Sequence, residues 1–144
     1  MMKRLTHLGG ARFTLGLPLV LCGFEGEARS VGLAALLANA ASHGVVQVLK
    51  RTVARPRPCD AWGRPLALVE LPDPFSFPSG HSAASFAVAV PIAIAWPWVA
   101  PLALGLAILV SASRVTLKVH HASDVFAGAA LGIAGALGAM SLVK

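Results

Sequence analysis

Long apolar segments alternate with short polar stretches along the whole chain. The apolar segments cover residues 13–24, 31–49, 83–95, 101–110 and 123–143. A helix needs about 20 apolar residues to cross the hydrocarbon core of a membrane. The pattern therefore predicts an all-α fold, an integral membrane helical bundle of four to five transmembrane helices. The first segment is the weakest candidate, and whether it crosses the membrane or only enters the interface stays open.

Residues 50–78 interrupt this pattern, because six of the ten prolines lie there together with four arginines. Proline lacks an amide hydrogen and breaks helices, so this stretch is predicted to be a loop. The sequence Trp96-Pro97-Trp98 predicts a turn at the opposite interface. Helices that alternate in direction then bring the end of the second segment, the start of the third and the end of the fourth to one membrane face. We interpret residues 1–144 as a single domain.

Composition supports a membrane location. Hydrophobic residues make up 56% of the chain and charged residues only 12%, whereas about 25% of a typical soluble domain is charged. The formal net charge is +6, but the basic residues gather beside apolar segments. This distribution favours the membrane bilayer and anionic lipid headgroups as partners, and it argues against nucleic acid.

Two polar islands lie at the predicted common face, at the ends of the proline-rich loop. The first is a basic run that begins at Lys50 and includes Arg57. The second, Pro78-Ser79-Gly80-His81, opens the third apolar segment. Free amide groups and the helix dipole at such an N-terminus favour an anion such as phosphate.

The third island, residues 113–124, reads SRVTLKVHHASD and is unusually polar for its position between two apolar segments. His120 lies four residues before Asp124, so on a helix the two share a face and can form a hydrogen bond. A carboxylate in that position fixes one imidazole nitrogen as a donor and leaves the other free to attack. Arg114 offers a planar set of donors that suits a phosphate group.

Together the three islands resemble the three-part signature of the type-2 phosphatidic-acid phosphatase superfamily, which also includes the vanadium-dependent haloperoxidases. The resemblance covers residues 50–124 in motif and extends to the last apolar segment in hydropathy. It implies a helical bundle that hydrolyses phosphate esters through a phosphohistidine, with no metal and no cofactor. Membrane members commonly have six spans, whereas this chain offers five at most.

The resemblance also implies a role for each signature residue. His120 would be the nucleophile, held in the right tautomer by Asp124, and His81 would protonate the leaving alkoxide and then activate water. The phosphate oxygens would be bound by three cationic side chains, one hydroxyl and one amide, from Lys50, Arg57, Arg114, Ser79 and Gly80. The expected substrate is a lipid phosphate monoester or diphosphate of the phosphatidic acid, phosphatidylglycerophosphate or polyprenyl phosphate type.

The expected location is the bacterial inner (plasma) membrane, with the site at one membrane face. Apart from Lys50, Arg57 and Arg114, most Lys and Arg residues lie on the membrane face of the predicted site. The positive-inside rule places that face toward the cytoplasm. The side stays open, however, because Arg51 and Arg55 equally suit phosphate binding. The oligomeric state also stays open.

Several other polar residues have simpler interpretations. His43, with Ser42 and Gln47, is expected to be a hydrogen-bonded polar group between helices. Carboxylates in the loop, including Asp60, Glu70 and Asp73, are expected to order it against the arginines. Two alternative functions remain: an oxidase that binds vanadate in the same cradle, and a non-catalytic protein that binds anionic lipids.

Overall fold

The computed structural model describes residues 6–69, 71 and 73–143. This part of the chain contains a 3-10 helix, Thr6–Gly9, and the helices α1 (Ala11–Cys22), α2 (Glu27–Val53), α3 (Gly80–Ala95), α4 (Ala100–Thr116) and α5 (Ala122–Leu142). It contains no strand, only isolated β-bridges within the loop. The predicted all-α architecture is confirmed. Glu70, one of the loop carboxylates, lies outside the described residues, as do three of the basic residues counted for the positive-inside rule: Lys3, Arg4 and Lys144.

Helices α2 and α5 are long and apolar enough to cross a membrane, with 27 and 21 residues. The other three helices are shorter, and α1 has only 12 residues. At 1.5 Å per residue, α1 rises about 18 Å, which is well short of a hydrocarbon core about 30 Å thick.

Small residues let helices α2, α3 and α5 pack closely. The core between them consists of alanines and one valine: Ala34, Ala38, Ala87, Val90, Ala136 and Ala139. Gly128 and Gly132 on α5 lie against the backbone carbonyls of Ser79 and Ala83, where a Cβ atom would collide with the carbonyl oxygen. Close approach of this kind is how helices associate in lipid. A Cβ atom on Gly138 of the same helix would instead meet open space.

A proline inside α1 explains one buried polar contact between α1 and α2. Pro18 has no amide hydrogen, so it cannot donate to the carbonyl of Thr14 in the preceding turn. The side-chain nitrogen Nδ2 of Asn39 on α2 donates to that carbonyl oxygen over 3.1 Å. Asn39 therefore satisfies a backbone group that would otherwise be unpaired in an apolar environment.

Two helices extend beyond the apolar segments that predicted them. Helix α2 continues to Val53 and is followed by its C-cap, Ala54, whose backbone is left-handed with φ 47°. Helix α4 continues to Thr116. Lys50 and Arg114 therefore lie in the last turns of helices, where a positive charge interacts favourably with the helix dipole.

Candidate active site

A cavity of about 640 Å³ lies at the end of the bundle where α2 and α4 finish and α3 and α5 begin. Among its lining residues are six of the eight predicted site residues: Lys50, Arg57, Gly80, His81, Arg114 and His120. The other two, Ser79 and Asp124, are fully buried and do not line the cavity. The helix directions inferred from hydropathy therefore bring distant parts of the sequence to one place.

His120 is positioned by a short turn rather than by a helix. The carbonyl of Arg114 accepts hydrogen bonds from the amides of Val119 (3.2 Å) and His120 (3.3 Å). Lys118, with a left-handed φ of 55°, reverses the chain within this turn. Because α5 begins only at Ala122, the assumption that His120 and Asp124 lie on one helix is wrong.

The imidazole of His120 has a backbone carbonyl as its nearest polar partner. Its Nδ1 atom lies 2.7 Å from the carbonyl oxygen of Ser76 and 3.7 Å from Oδ2 of Asp124. A carbonyl oxygen only accepts, so Nδ1 carries the proton and donates it to Ser76. This arrangement leaves Nε2 unprotonated, with the lone pair that a nucleophile needs. The carbonyl of Ser76 in the loop thus fixes the tautomer of His120, a role that was predicted from the sequence for Asp124.

Burial keeps the His120 ring neutral. The side chain is only 3% exposed, and this burial, with the positive charges of Arg57 and Arg114, lowers its pKa below the ordinary value. The carboxylate of Asp124 and the carbonyl of Ser76 oppose the shift without reversing it. A neutral imidazole at physiological pH is the form that can attack phosphorus.

Asp124 holds the backbone and an arginine together at the start of α5. One carboxylate oxygen accepts a hydrogen bond from the amide of His121 over 2.8 Å. The other accepts from Nη1 of Arg55 over 2.9 Å, and the same Nη1 donates to the hydroxyl of Ser123 over 2.7 Å. From the sequence, Arg55, like Arg51, suited both membrane orientation and phosphate binding. In the structure it binds the buried carboxylate beside His120.

The cations at the cavity surround a loop carboxylate. Nζ of Lys50 lies 3.0 Å from both oxygens of Asp73 and also donates to the carbonyl of Phe75. Arg57 Nη2 lies 3.1 Å from the same carboxylate, while its Nη1 donates to the carbonyl of Val119 over 2.8 Å. These contacts fix both cations at the cavity wall.

The pKa of Asp73 lies below its ordinary value. Burial would raise that pKa, but the hydrogen bond from Lys50 and the charges of Lys50 and Arg57 outweigh the burial. Asp60 forms a separate loop ion pair with Arg64 at 2.8 Å. Both contacts agree with the expectation that loop carboxylates balance nearby basic residues. Within the described residues, no group of three or more His, Cys, Asp or Glu side chains has the arrangement of a metal site.

Ser79 begins α3 as its N-cap. Its hydroxyl oxygen accepts hydrogen bonds from the amide and the hydroxyl of Ser82, at 3.4 and 3.0 Å. Its backbone amide donates to the carbonyl of Asp124 over 2.9 Å, which links the start of α3 to the start of α5. Gly80 and His81 follow at the cavity wall, in the first turn of the helix, where amide groups lack acceptors within the helix. A role for the Ser79 hydroxyl in phosphate binding stays a prediction.

Comparison with known proteins agrees with this geometry. A sequence profile of the PAP2 superfamily matches residues 31–144. A transmembrane PAP2-type phosphatidylglycerolphosphate phosphatase from Bacillus subtilis superposes with a TM-score of 0.78 at 31% identity, over 98% of this chain and 74% of that one. LpxE from Aquifex aeolicus superposes with a TM-score of 0.81 at 24% identity, over 97% of this chain and 83% of that one. No curated protein matches the chain significantly.

The profile covers most of the chain, including all three polar islands, and the Bacillus subtilis protein is similar over nearly the whole length. The fold is also shared with LpxE. These matches and the assembled cavity agree with the resemblance inferred from the motif. The chain belongs to the PAP2 superfamily and has the fold of its integral membrane phosphatases.

Proposed function

We propose that this protein is a membrane lipid phosphatase in which His120 forms a phosphohistidine. Nε2 of His120 attacks phosphorus, a P–N bond forms and the P–O ester bond breaks. His81 gives its proton to the departing alkoxide, so the lipid leaves as an alcohol. His81 then takes a proton from water, whose oxygen attacks phosphorus, and inorganic phosphate leaves as the P–N bond breaks. No step uses a metal ion.

One observation carries this proposal: both histidines and the three cationic side chains line a single cavity. Lys50, Arg57 and Arg114 together with the carboxylate of Asp73 give the wall a formal net charge of +2. A phosphate monoester carries up to two negative charges, so the cavity and the substrate are electrostatically complementary. Phosphoryl transfer depends mainly on such positioning and charge stabilisation.

An apolar cavity supports a substrate with a lipid chain. It has a volume of about 280 Å³ and is lined mainly by apolar residues of α1, α3 and α4. Thr14 lines both this cavity and the polar one, so the two adjoin. A lipid phosphate has matching parts, a charged group for the polar cavity and a hydrocarbon chain for the apolar one. Phosphatidic acid, phosphatidylglycerophosphate and polyprenyl phosphates or diphosphates all have this construction.

Phosphate release by the purified protein in detergent tests the proposal. The assay contains EDTA and compares these three kinds of lipid phosphate with a water-soluble phosphate ester. We expect metal-independent release from at least one lipid phosphate, and loss of release in His120→Ala. Release that requires an added metal, or that survives in His120→Ala, contradicts the mechanism. Halide oxidation on addition of vanadate would instead support the oxidase alternative.

A further inference from the structure

The polar cavity extends beyond the phosphate-binding residues along α2. Besides Lys50, its wall includes Asn39, His43 and Gln47 from that helix. Gln47 precedes Lys50 by three residues and His43 precedes it by seven, which correspond to rises of about 4.5 and 10.5 Å along the axis. Both residues lie on the side toward the middle of α2, away from the end where phosphate would bind.

Two of the polar residues on this part of α2 have structural partners. Asn39 donates to the carbonyl of Thr14 that Pro18 leaves unpaired. Ser42 donates to the carbonyl of Asn39 within α2 over 3.2 Å. Neither side chain needs a ligand to be satisfied.

His43 and Gln47 differ from these residues because their described hydrogen bond is to each other. The two side-chain Nε2 atoms lie 3.2 Å apart, and the contact lies within α2 rather than between helices. The expectation of an interhelical contact is therefore wrong. Polar side chains in a membrane-spanning helix generally face a cavity or a partner and often mark a substrate path. Here they face the cavity that contains His120.

The chemistry of this pair suits a hydroxyl group. The amide nitrogen of Gln47 can only donate, so Nε2 of His43 accepts and Nδ1 carries the ring proton. Nδ1–H of His43 and Oε1 of Gln47 then remain as one donor and one acceptor. A hydroxyl group both donates and accepts, and can therefore satisfy the two at once. A second phosphate would need a cation, and the cationic residues described at the cavity wall are Lys50, Arg57 and Arg114 of the phosphate site.

We propose that His43 and Gln47 form a subsite for a hydroxyl group in the alcohol part of the substrate, next to the phosphate that is removed. The inference rests on the proposed phosphatase function and narrows its substrate class. The preferred substrate is a lipid phosphate with a free hydroxyl near the ester oxygen, as in a glycerol unit, rather than a bare polyprenyl phosphate. His43 and Gln47 are specificity-determining residues in this scheme and take no part in bond breaking.

A pair of substrates that differ by one hydroxyl tests this subsite. 1-Acyl-glycerol 3-phosphate has a hydroxyl at carbon 2, and its 2-deoxy analogue lacks only that group. The hydroxyl would form one hydrogen bond with His43 and one with Gln47, each of modest strength because His43 is exposed and Gln47 is only partly buried. We therefore expect kcat/KM of the wild type to favour the hydroxylated substrate on the order of tenfold. In the double variant His43→Leu/Gln47→Leu the ratio should fall close to one.

Activity on the deoxy substrate serves as the internal measure of correct folding. This activity should stay within about twofold of wild type in the double variant, because the replaced side chains would bind only a hydroxyl that the deoxy substrate does not have. Val48→Leu is the matched control, because Val48 is 61% exposed and does not line the cavity. It should keep the wild-type ratio.

The remaining outcomes overturn the inference in different ways. Equal rates on both substrates in the wild type, or an unchanged ratio in the double variant, exclude a hydroxyl subsite at His43 and Gln47 while leaving the phosphatase function intact. An equal loss on both substrates in the double variant assigns the pair a structural function instead. If the wild type hydrolyses neither these substrates nor any lipid phosphate of the panel, the proposed function itself fails.

Discussion

The carbonyl oxygen of Ser76 lies 2.7 Å from Nδ1 of His120, although 44 residues separate them in sequence. This contact fixes the proton on Nδ1 and leaves Nε2 as the atom that can attack. Ser76 contributes a main-chain atom to this contact, and its buried hydroxyl donates to the carbonyl of Pro56 over 2.9 Å, which holds this part of the loop in place. The position of the proposed nucleophile therefore depends on the path of the proline-rich loop, and the proposed mechanism gives specific expectations for variants.

Replacing His120 by alanine should lower phosphate release on the order of a thousandfold or more, because the nucleophile is lost. His81→Ala should slow the second step more than it slows attack on a substrate with a good leaving group. With an activated aryl phosphate, His81→Ala should therefore accumulate phosphate on His120. Labelled phosphate that is stable to base and labile to acid would identify it. Absence of labelled protein in both wild type and His81→Ala would contradict the phosphohistidine.

The rate should depend on pH through the lowered pKa of His120. The neutral ring is the reactive form, so the acidic limb of kcat/KM should lie below the ordinary histidine pKa of about 6.5. Asp124→Asn removes a group that raises this pKa. The acidic limb of the profile should then move to still lower pH, along with any loss in rate. A profile of kcat/KM between pH 4.5 and 8 measures both effects, and an acidic limb centred above pH 7 would be inconsistent with a buried, neutral His120 ring.

Arg114→Lys should reduce kcat/KM by roughly tenfold or more, even though the charge is retained. Lysine presents a single ammonium group, whereas arginine presents a planar set of donors to two phosphate oxygens. Arg51→Lys is the matched control, since Arg51 is exposed and does not line the cavity. An unchanged kcat/KM in Arg114→Lys, as expected for the control, would mean that Arg114 acts only through its charge and not through the geometry of its donors.

Asp73→Asn should make the protein more dependent on phosphate for its stability. Lys50 and Arg57 are both buried, at 6% and 8% exposure, and they would lose their carboxylate partner. Buried charges without a partner destabilise the folded state. We expect a lower Tm in detergent without phosphate, and a larger increase in Tm on adding phosphate or vanadate than in wild type.

Asp60→Asn is the control for this comparison, because Asp60 pairs with Arg64 away from the cavity. Its phosphate-induced change in Tm should match that of wild type. A smaller phosphate-induced change in Asp73→Asn than in wild type would show that Asp73 assists anion binding rather than occupying the same cations.

Gly128→Ala should lower both Tm and activity, because the added methyl group collides with the carbonyl of Ser79 at the start of α3. Gly138→Ala is a matched substitution on the same helix that meets open space. It should be neutral or slightly stabilising, since alanine favours the helix over glycine. Equal effects of the two substitutions would exclude close packing as the reason for Gly128.

The meeting of the three polar islands at one end of the bundle could be predicted from the sequence, because hydropathy and motif spacing determine it. Hydropathy sets the number and direction of the apolar helices, and alternating directions place Lys50, His81 and His120 at one end of the bundle. The motif spacing then indicates which side chains at that end are expected to carry the chemistry. Both regularities are local in sequence and need no knowledge of how the loop folds.

The contacts formed by the loop could not be predicted in the same way. Ser76 acts through its carbonyl, which every residue has, so its identity gives no signal. Asp73 was recognised only as a carboxylate near many arginines, because ion pairing across 16 to 23 residues depends on the path of the loop. Arg55 and Arg51 are equivalent as basic residues. Only the left-handed backbone at Ala54, after which the chain leaves α2, separates Arg51 on the helix from Arg55 beside Asp124.

The amide of Ser79 and the carbonyl of Asp124 join the two segments that carry the histidines through main-chain atoms alone. Side-chain replacements do not remove such a link; only a proline at position 79 would eliminate the donor. Side chains that face lipid or contact the headgroup can therefore change during evolution while the imidazoles of His81 and His120 keep their relative positions. A fold with such a main-chain link can change which substrates it binds while the arrangement of His81 and His120 stays the same.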